Sequence, residues 1–518
     1  MPVRPFSREQ AWLLPPRLDD LLPDDHAARF VAEFVDSLDA SEWQKLGIGI
    51  NGELLGAPEY HPRVLLSIWL YGFMTRTRSS RKLEAACRDQ ISYLWLTGWQ
   101  RPDHNTLWRF YKDHRNQMRN LFKHSVQVAV KLNLIDLAVQ AVDGTKVAAN
   151  ASKERSYGAQ GLKWLLERTE VVIRELEEQN ENGNDPPPAR LPEKLRQAKQ
   201  LSTEIKAAMA QLTEEGMKQI NLTDSDAKLM KSRQGIVAGY NVQAMVSPVT
   251  VSEEKGMLIT AVDAVQDAAD SDQLVPMLEQ AEQTTGNKAG MTLADAGYHS
   301  GANLAECLKR EQAIVMPEVQ ERALQKPYHK DRFIYHADTD TFTCPNGQTL
   351  PFVGTKPGRR NTTWRVYRCS GSICHRCAAF GDCTRCSHQG RELQIGPYDV
   401  LLRQHREWMA TDKAKISYAR RKELPEPVFG ILKEQMGFRR FLLRGWNNVR
   451  AEAVMMATAF NLRTLYRVWR WSLAKKQETQ QSLLRNLDHC ILFLMYLGIN
   501  AEQSVTIVPR NLVLTVGW

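Results

Sequence analysis

The sequence predicts a mixed α/β protein with additional helical and cysteine-rich parts. Period-2 apolar stretches at residues 134–143 and 290–295 each end in an aspartate, a pattern typical of half-buried strands. Apolar residues at helical spacing recur through residues 1–130 and 158–216. Six of the nine cysteines fall within residues 344–386. We therefore expect an all-α N-terminal domain, a mixed-sheet core with an inserted helical hairpin, and a cysteine-rich insertion.

Size and charge narrow the class of protein. A chain of 518 residues is too long for one ordinary core, so several structural units are expected. The net charge of +9 and the pI near 9.0 suit a polyanionic partner, although the excess is spread along the chain. No apolar signal segment opens the sequence, and the longest late apolar run, Cys490 to Gly498, is too short to cross a bilayer. These features predict a soluble cytoplasmic protein.

Residues 1–130 are predicted to form short helices joined by tight turns. Pro62 to Met74 is an apolar helix, Ser79 or Ser80 can cap the next one, and Leu107 to His114 forms another. This pattern is compatible with a helix-turn-helix DNA reader and equally with a small bundle that has a solvated polar face. The candidate DNA contacts near the turns are Arg81, Lys82, Arg101, His104, Asn105 and Arg109.

The core is predicted from an alternating order of strands and helices. A first strand at residues 134–147 is followed by the helical hairpin, which the breaker Asn180 to Pro188 divides. The hairpin could pair subunits, arch over DNA, or only decorate the surface. Four further strands are expected at residues 240–246, 257–262, 290–295 and 313–316, with helices at 270–282 and 303–310. The acids then lie at strand ends, where open sheets present ligand sites.

Later segments complete the predicted organisation. A long helical stretch is expected at residues 404–423, with a break before Pro427, a continuation to Met436 and another helix at 446–475. We place domains at residues 1–130, 131–325 (with the hairpin at 158–216), 326–400 and 401–475, and a tail of unassigned role at 476–518.

Asp143, Asp295 and Glu426 are the candidate metal ligands. The two aspartates continue the apolar faces of their strands, where a carboxylate is costly unless something pairs with it. Their convergence on a divalent cation would account for both. Glu426 is the best third ligand, because Pro427 favours a helix that begins just after it. Glu423 and Glu452 are rivals for this position.

Three residues near Glu426 are candidate DNA contacts. Lys433 lies about two helical turns downstream on the same face and could reach a phosphate near the metal. Arg421 and Tyr418 lie just upstream and could contact the DNA backbone. Carboxylates on separate elements that hold Mg²⁺ are what metal-assisted phosphodiester chemistry requires.

The clustered cysteines predict a structural zinc site rather than disulfides. Such a site would staple a loop-rich insertion that has too few apolar residues to fold alone. Cys344, Cys369, Cys374 and Cys377 form one candidate ligand set, and the two Cys-x-x-Cys pairs 374/377 and 383/386 form another. The full set of candidates is Cys344, Cys369, Cys374, Cys377, Cys383 and Cys386.

Four ordered segments resemble bacterial insertion-sequence DDE transposases. They are Ala141-Val-Asp-Gly-Thr-Lys146, Gly239-Tyr-Asn-Val-Gln243, Leu293-Ala-Asp-Ala-Gly-Tyr298 and Glu426-Pro-Val-Phe-Gly-Ile-Leu-Lys433. Residues 437–445 and 459–462 extend the resemblance, and residues 14–110 are similar to the helical N-terminal domain of these enzymes. The resemblance covers about residues 10 to 470.

This resemblance implies an RNase H-like catalytic domain with Asp143, Asp295 and Glu426 as its DDE triad and Mg²⁺ or Mn²⁺ as cofactor. Members of related groups carry a Tyr-Arg-Glu-Lys signature with two, three and six residues between successive members. Here Tyr418, Arg421, Glu426 and Lys433 are separated by two, four and six, a one-residue departure that bears on the roles of the first two.

The expected function is DNA transposition. The implied partners are double-stranded DNA, as terminal inverted repeats and as target, and a second copy of the chain in a dimer or higher oligomer, within the nucleoid. Two other hypotheses stay open: a catalytically inactive DNA-binding derivative and a metal-dependent nuclease without strand transfer.

Overall fold

The computed structural model describes residues 17–49, 60–181, 191–232, 235–251, 254–318, 326–358 and 362–496. The chain divides into two units, residues 1–464 and residues 465–518. The described strands and the candidate site residues belong to the first unit. In the second unit, residues 465–496 are helical.

The strands and helices predicted for the core occur in the predicted order. The strands at residues 156–157, 220–221 and 228–232, and those between residues 334 and 395, were not predicted. In chain order the helices are α1 (Ala27–Asp36), α2 (Ala40–Lys45), α3 (Pro62–Met74), α4 (Ser80–Asp89), α5 (Ile91–Thr97), α6 (His104–His114), α7 (Met118–Lys131), α8 (Ala159–Glu181), α9 (Leu191–Glu214), α10 (Leu274–Thr285), α11 (Gly301–Lys309), α12 (Gly371–His375), α13 (Asp399–Met409), α14 (Asp412–Ala419), α15 (Pro425–Gly430) and α16 (Trp446–Tyr496). The strands are β1 (Gln140–Ala148), β2 (Ser156–Tyr157), β3 (Ile220–Asn221), β4 (Lys228–Ser232), β5 (Gly235–Val251), β6 (Glu254–Val265), β7 (Met291–Leu293), β8 (Ala313–Val315), β9 (Ile334–His336), β10 (Thr341–Thr343), β11 (Thr349–Pro357), β12 (Thr363–Arg368) and β13 (Glu392–Ile395).

Every described secondary-structure element of the N-terminal region up to Lys131 is helical, as predicted, and turns join these helices. The apolar helix α3 has the predicted bounds, and its side chains from Leu65 to Met74 are buried. Helix α6 begins at His104, where the Asp103 carboxylate accepts a hydrogen bond from the Thr106 N–H at 2.6 Å. This cap explains why the turn before α6 is polar.

The core is a six-stranded mixed sheet, which confirms the predicted fold class at that level. One edge of β5 pairs antiparallel with β1, and the other edge pairs first with β4 and then with β6. β1 runs parallel to β7, and β7 runs parallel to β8. Helices α10 and α11 cover this part of the sheet through buried side chains that include Leu278, Leu304 and Met245.

The register between β1 and β7 positions the candidate site. Ala141 lies opposite Leu293, and the Gln140 side chain donates a hydrogen bond to the Thr292 hydroxyl at 3.0 Å beside that pair. Asp143 and Asp295 each follow two residues later. Since side chains alternate along a strand, the parallel register brings both aspartates to the same edge of the sheet.

The predicted helical hairpin is present. Antiparallel helices α8 and α9 pack through Leu162, Ile205 and Leu212, and the short strands β2 and β3 pair at their base. The hairpin therefore lies between β1 and β4 in the chain, as an insertion into the sheet. The breaker that divides it falls mostly outside the described residues.

The cysteine-rich region is not loop-rich, so that prediction is wrong. Strands β9 to β13 form a five-stranded antiparallel sheet in the order β13-β12-β11-β10-β9. Its core contains the apolar side chains of Phe333, Phe342, Leu350 and Leu393 together with cysteines. The alternating apolar residues of these short strands form a larger hydrophobic core than the amino-acid composition of the region indicated.

The later helices differ from prediction at two points. The stretch predicted as one helix is divided into α13 and α14 at Thr411, whose hydroxyl caps α14. Helix α15 begins at Pro425 rather than Pro427, so Glu426 lies in the first helical turn. Pro425 is tolerated there because the first turn of a helix needs no N–H donor. None of the described helices combines the length and apolar content required to cross a bilayer.

Candidate active site

Asp143 and Asp295 share one cationic partner. The Nη2 atom of Arg421 lies 2.9 Å from Oδ2 of Asp143 and 3.7 Å from Oδ2 of Asp295. The two oxygens are therefore no farther apart than the sum of these distances. Asp295 is fixed by its own backbone turn, because its Oδ1 accepts a hydrogen bond from the Gly297 N–H at 2.8 Å. The arrangement gathers two carboxylates around the position of a single cation.

The electrostatics of Asp143 follow from its burial. Loss of hydration raises the pKa of Asp143 from 3.8 to about 6, even though the Arg421 guanidinium acts in the opposite direction. The negative charges of Asp295 and Asp270 raise this pKa further. A carboxylate that is costly to ionise gains strongly from a nearby cation.

Glu426 and Lys433 border the same cleft as Asp143. The cleft has a volume of about 710 Å³, and Glu426 is exposed to it from the first turn of α15. Lys433 lies in a π-helical turn at Ile431–Gln435 and donates a hydrogen bond to Thr145 Oγ1 at 2.5 Å. Glu426 and Lys433 thus reach the cleft from one helical segment while Asp143 reaches it from β1.

The two rivals of Glu426 have different surroundings. Glu423 is exposed in the 3₁₀ turn between α14 and α15 and does not line this cleft. Glu452 is only 2% exposed and is paired with Arg78 at 2.7 Å. Arg450, on the same helix as Glu452, pairs with Asp263. Glu452 is a structural residue.

Tyr418 and Arg421 face the acids. Burial raises the pKa of Tyr418, and the positive charge of Arg421 acts in the opposite direction. The charges of Asp143 and Asp295 raise it further. The sequence analysis assigned both residues to the DNA backbone, whereas in this structure Arg421 is engaged by the two aspartates.

Sequence reasoning missed Asp270, which connects three of the recognised motifs. Its Oδ1 accepts hydrogen bonds from Asn241 and Gln243 at 2.7 Å each, and from Lys146 at 3.3 Å. Gln243 in turn accepts a hydrogen bond from the Tyr298 hydroxyl. Asp270 follows no strand directly, so no pattern singled it out. The polar residues within the Gly-Tyr-Asn-Val-Gln segment could have indicated a buried acceptor.

The N-terminal candidates remain on the surface, with one exception. His104 Nδ1 lies 2.7 Å from the Glu84 carboxylate, which joins α6 to α4. The exposed members of the set are Arg81, Lys82, Arg101, Asn105 and Arg109. Exposed cations and an amide at the ends of adjoining helices are suited to phosphate contact.

Five of the six clustered cysteines line one small cavity. Its volume of about 20 Å³ is enough for one water-sized species. Cys386 is exposed and lies outside it. Three of the five sulfurs that line the cavity accept N–H hydrogen bonds. They are those of Cys344 from Gln348 at 3.2 Å, Cys374 from Arg391 at 3.3 Å and Cys377 from Asn346 at 3.2 Å. The other two sulfurs lining the cavity are those of Cys369 and Cys383.

Neither candidate site has ligands already arranged around a metal. Among the described residues, no group of three or more His, Cys, Asp or Glu side chains is arranged to hold an ion. The donor types nevertheless suit the expected ions, since carboxylate oxygens favour Mg²⁺ and thiolates favour Zn²⁺. In the acid site, the Arg421 guanidinium already lies between Asp143 and Asp295, which is the strongest indication that these two carboxylates suit a bound cation.

Two family models match the chain on either side of the aspartate pair. Residues 16–113 match the family described as "Transposase domain (DUF772)", and residues 343–466 match "Transposase DDE domain". Glu426 and Lys433 lie within the second match, whereas Asp143 and Asp295 lie between the two. Among curated proteins and solved structures, none matches the chain. The two transposase matches support an insertion-sequence DDE transposase, in agreement with the resemblance of the ordered motifs around Asp143, Asp295 and Glu426.

Proposed function

We propose that this chain is the transposase of its element: it binds the terminal inverted repeats, cleaves the DNA at the element ends and joins the freed ends to target DNA. The observation that supports this most directly is the approach of Asp143 and Asp295 to one shared cation position beside an open cleft. In our proposal the sheet carrying them is RNase H-like. Three antiparallel strands (β6, β5, β1) followed by two parallel ones (β7, β8) support that assignment.

Asp143, Asp295 and Glu426 would hold the divalent ion, Mg²⁺ or Mn²⁺. When bound, such an ion supplies an activated water or 3′-hydroxyl and stabilises the leaving oxygen. The protein fixes two ligands through the β1–β7 register and brings the third on α15. Glu426 is exposed in the first turn of α15 and borders the same cleft as Asp143, which supports its place in the ligand set.

The cleft suits the DNA backbone. Besides the acids it is lined by basic side chains, namely Lys146, Lys231, Lys433 and Arg439. Cations beside a metal-binding carboxylate pair would hold the scissile phosphate and its neighbours. The exposed Arg81, Lys82, Arg101, Asn105 and Arg109 of the N-terminal helices would contact the terminal repeat. Since two element ends must be processed together, we expect a dimer or higher oligomer on DNA.

We also propose a structural Zn²⁺ in the cysteine cavity. Cys344, Cys374 and Cys377 are the leading ligands, because their sulfurs line the cavity and N–H hydrogen bonds hold them in place. Cys369 or Cys383 would complete a tetrahedral set. Burial and contact with Cys374 raise the pKa of the Cys369 thiol to about 12, so zinc would have to displace a tightly held proton there.

The test uses the full chain and labelled DNA carrying the inverted repeats that flank its coding region. Cleavage and joining in Mg²⁺, both lost in Asp143→Asn and Asp295→Asn, are the expected results. The isosteric amide keeps the shape of each residue and removes its charge, and an unchanged thermal unfolding curve would control for folding.

The other hypotheses predict different outcomes. Cleavage without joining would favour a nuclease. Salt-sensitive binding to the repeats without cleavage in Mg²⁺ or Mn²⁺ would favour an inactive DNA-binding derivative.

A further inference from the structure

Arg421 supplies the only positive charge that the described structure brings between Asp143 and Asp295. Its side chain is 10% exposed, and its Nη2 contacts both carboxylates. We propose that Arg421 is the internal counter-ion of the metal-free site and must withdraw before a divalent ion can bind between Asp143 and Asp295. This inference rests on the metal-binding role proposed above for the two aspartates.

The metal-free site needs such a counter-ion. Asp143 and Asp295 are brought together by strand register, which is fixed by backbone pairing whether or not a metal is bound. Two carboxylates held close in a partly buried place repel each other and lose hydration. A guanidinium on a long side chain can neutralise both without any change in the sheet.

The contacts of Arg421 differ from those of a purely structural arginine in the same protein. Arg78 pairs with Glu452 and also donates to the backbone oxygens of Gly437 and Arg440, at 3.0 and 3.2 Å. In contrast, Nε of Arg421 is buried and has no hydrogen-bond partner among the described residues. The contacts shown for the Arg421 guanidinium are thus to the two carboxylates.

A divalent ion and this guanidinium exclude each other. The guanidinium lies between the carboxylates of Asp143 and Asp295, and an ion held by both residues would compete with it for that place. Their charges have the same sign, and the partly buried surroundings weaken dielectric screening. Binding of the ion is therefore an exchange of one cation for another.

The chain around Arg421 permits the exchange. Arg421 lies in the short 3₁₀ turn Arg420–Glu423 between α14 and α15, and such turns often act as hinges. The Asp143 side of the pair opens on the cleft of about 710 Å³. A rotation of the side chain into this cleft would free both carboxylates while the strands stay in place.

The experiment measures Mn²⁺ binding to the full chain without DNA by calorimetry. Arg421→Gln removes the charge, Arg421→Lys keeps it, and Arg420→Gln is the matched control because Arg420 is the exposed neighbour. We expect Arg421→Gln to bind Mn²⁺ about tenfold more tightly than the native chain, and Arg420→Gln to bind within about twofold of it. Arg421→Lys should lie between them.

Thermal unfolding gives a second readout that does not depend on activity. Without metal, Arg421→Gln should unfold at a lower temperature than the native chain, and Mn²⁺ should raise the unfolding temperature of this variant by more. Unchanged or weaker Mn²⁺ binding in Arg421→Gln would overturn the proposed exchange of cations. If the native chain nevertheless binds Mn²⁺ and Asp143→Asn abolishes that binding, the proposed function would still stand. Absence of Mn²⁺ binding in both proteins would overturn both.

Discussion

The ammonium group of Lys433 lies 2.5 Å from the hydroxyl of Thr145, which is two residues beyond Asp143 on β1. Lys433 also donates to the backbone oxygen of Lys146 at 3.4 Å. The helical segment that carries Glu426 is thereby tied to the strand that carries the first aspartate. The spacing of Glu426 and Lys433 in the sequence thus corresponds to two side chains bordering one cleft.

Two variants distinguish the effect of the Lys433 charge from the effect of its hydrogen bond to Thr145. Lys433→Met should lower single-turnover cleavage about a hundredfold, because a cation beside the scissile phosphate is lost. Thr145→Val removes the hydrogen bond alone and should cost less than about tenfold. Equal losses in the two variants would mean that Lys433 acts only by holding the segment in place.

The raised pKa of Asp143 predicts proton release on metal binding. With a pKa of about 6, Asp143 is about half protonated at pH 6 and almost fully ionised at pH 8. Mn²⁺ binding should therefore release about half a proton at pH 6 and almost none at pH 8. Calorimetry in two buffers of different ionisation enthalpy measures this number, and a proton release that does not fall between pH 6 and pH 8 would contradict the prediction.

The same shift predicts how Asp143 affects the free energy of unfolding. Because its pKa is raised on folding, the neutral form is favoured in the folded chain. That stabilisation is complete below pH 3.8 and is lost as the pH rises through about 6. Relative to the native chain, metal-free Asp143→Asn should gain up to about 3 kcal/mol between pH 4 and pH 8. Denaturant unfolding at both pH values checks this, and a difference that does not vary with pH would contradict it.

Gly144 is required by the polar network beside Asp143. A Cβ at this position would lie 2.6 Å from Oδ1 of Asp270 and would also overlap the Gln243 amide. Gly144→Ala should therefore destabilise the chain by about 1–3 kcal/mol and reduce cleavage. Gly49→Ala is the matched control, since no atom of the described residues lies within 4 Å of the place that its new methyl group would take. Similar losses in both variants would contradict the role of the network.

The buried pair of Arg78 and Glu452 should be a major source of stability. Glu452 also accepts hydrogen bonds from the backbone of Leu442 and Leu443, so its removal leaves several buried donors. Arg78→Met or Glu452→Gln should cost about 3–5 kcal/mol in denaturant unfolding. Glu193→Gln breaks an exposed pair with Arg196 and should change stability by less than about 1 kcal/mol.

The cysteine cavity predicts one zinc per chain. Cys374→Ser should lose the metal in elemental analysis of the purified protein and lower its unfolding temperature, because the sulfur lies in the cavity. Cys386→Ser should keep the metal, since Cys386 lies outside the cavity and is exposed. Full zinc retention in Cys374→Ser would exclude the proposed ligand set.

Local periodicity by itself determined much of this protein. The apolar helix α3, the hairpin of α8 and α9, and the position of Asp295 just after β7 follow from patterns within a few residues. Asp143 was predicted at a strand end, but it lies inside β1, which continues to Ala148. Such patterns reflect the side-chain repeat of a helix or strand, which needs no knowledge of the partner surface. The mixed sheet followed from the order of these elements.

Tertiary structure decided what each of these side chains contacts. Arg78 meets Glu452 across a separation of 374 residues, and Asp270 gathers Asn241, Gln243 and Lys146 from two strands. Arg421 was predicted to contact DNA, yet the fold turns it toward the aspartates. These pairings depend on strand register and helix packing between distant segments, and no local pattern in the sequence encodes them. The sequence supplied the acids, and the fold supplied the cation between them.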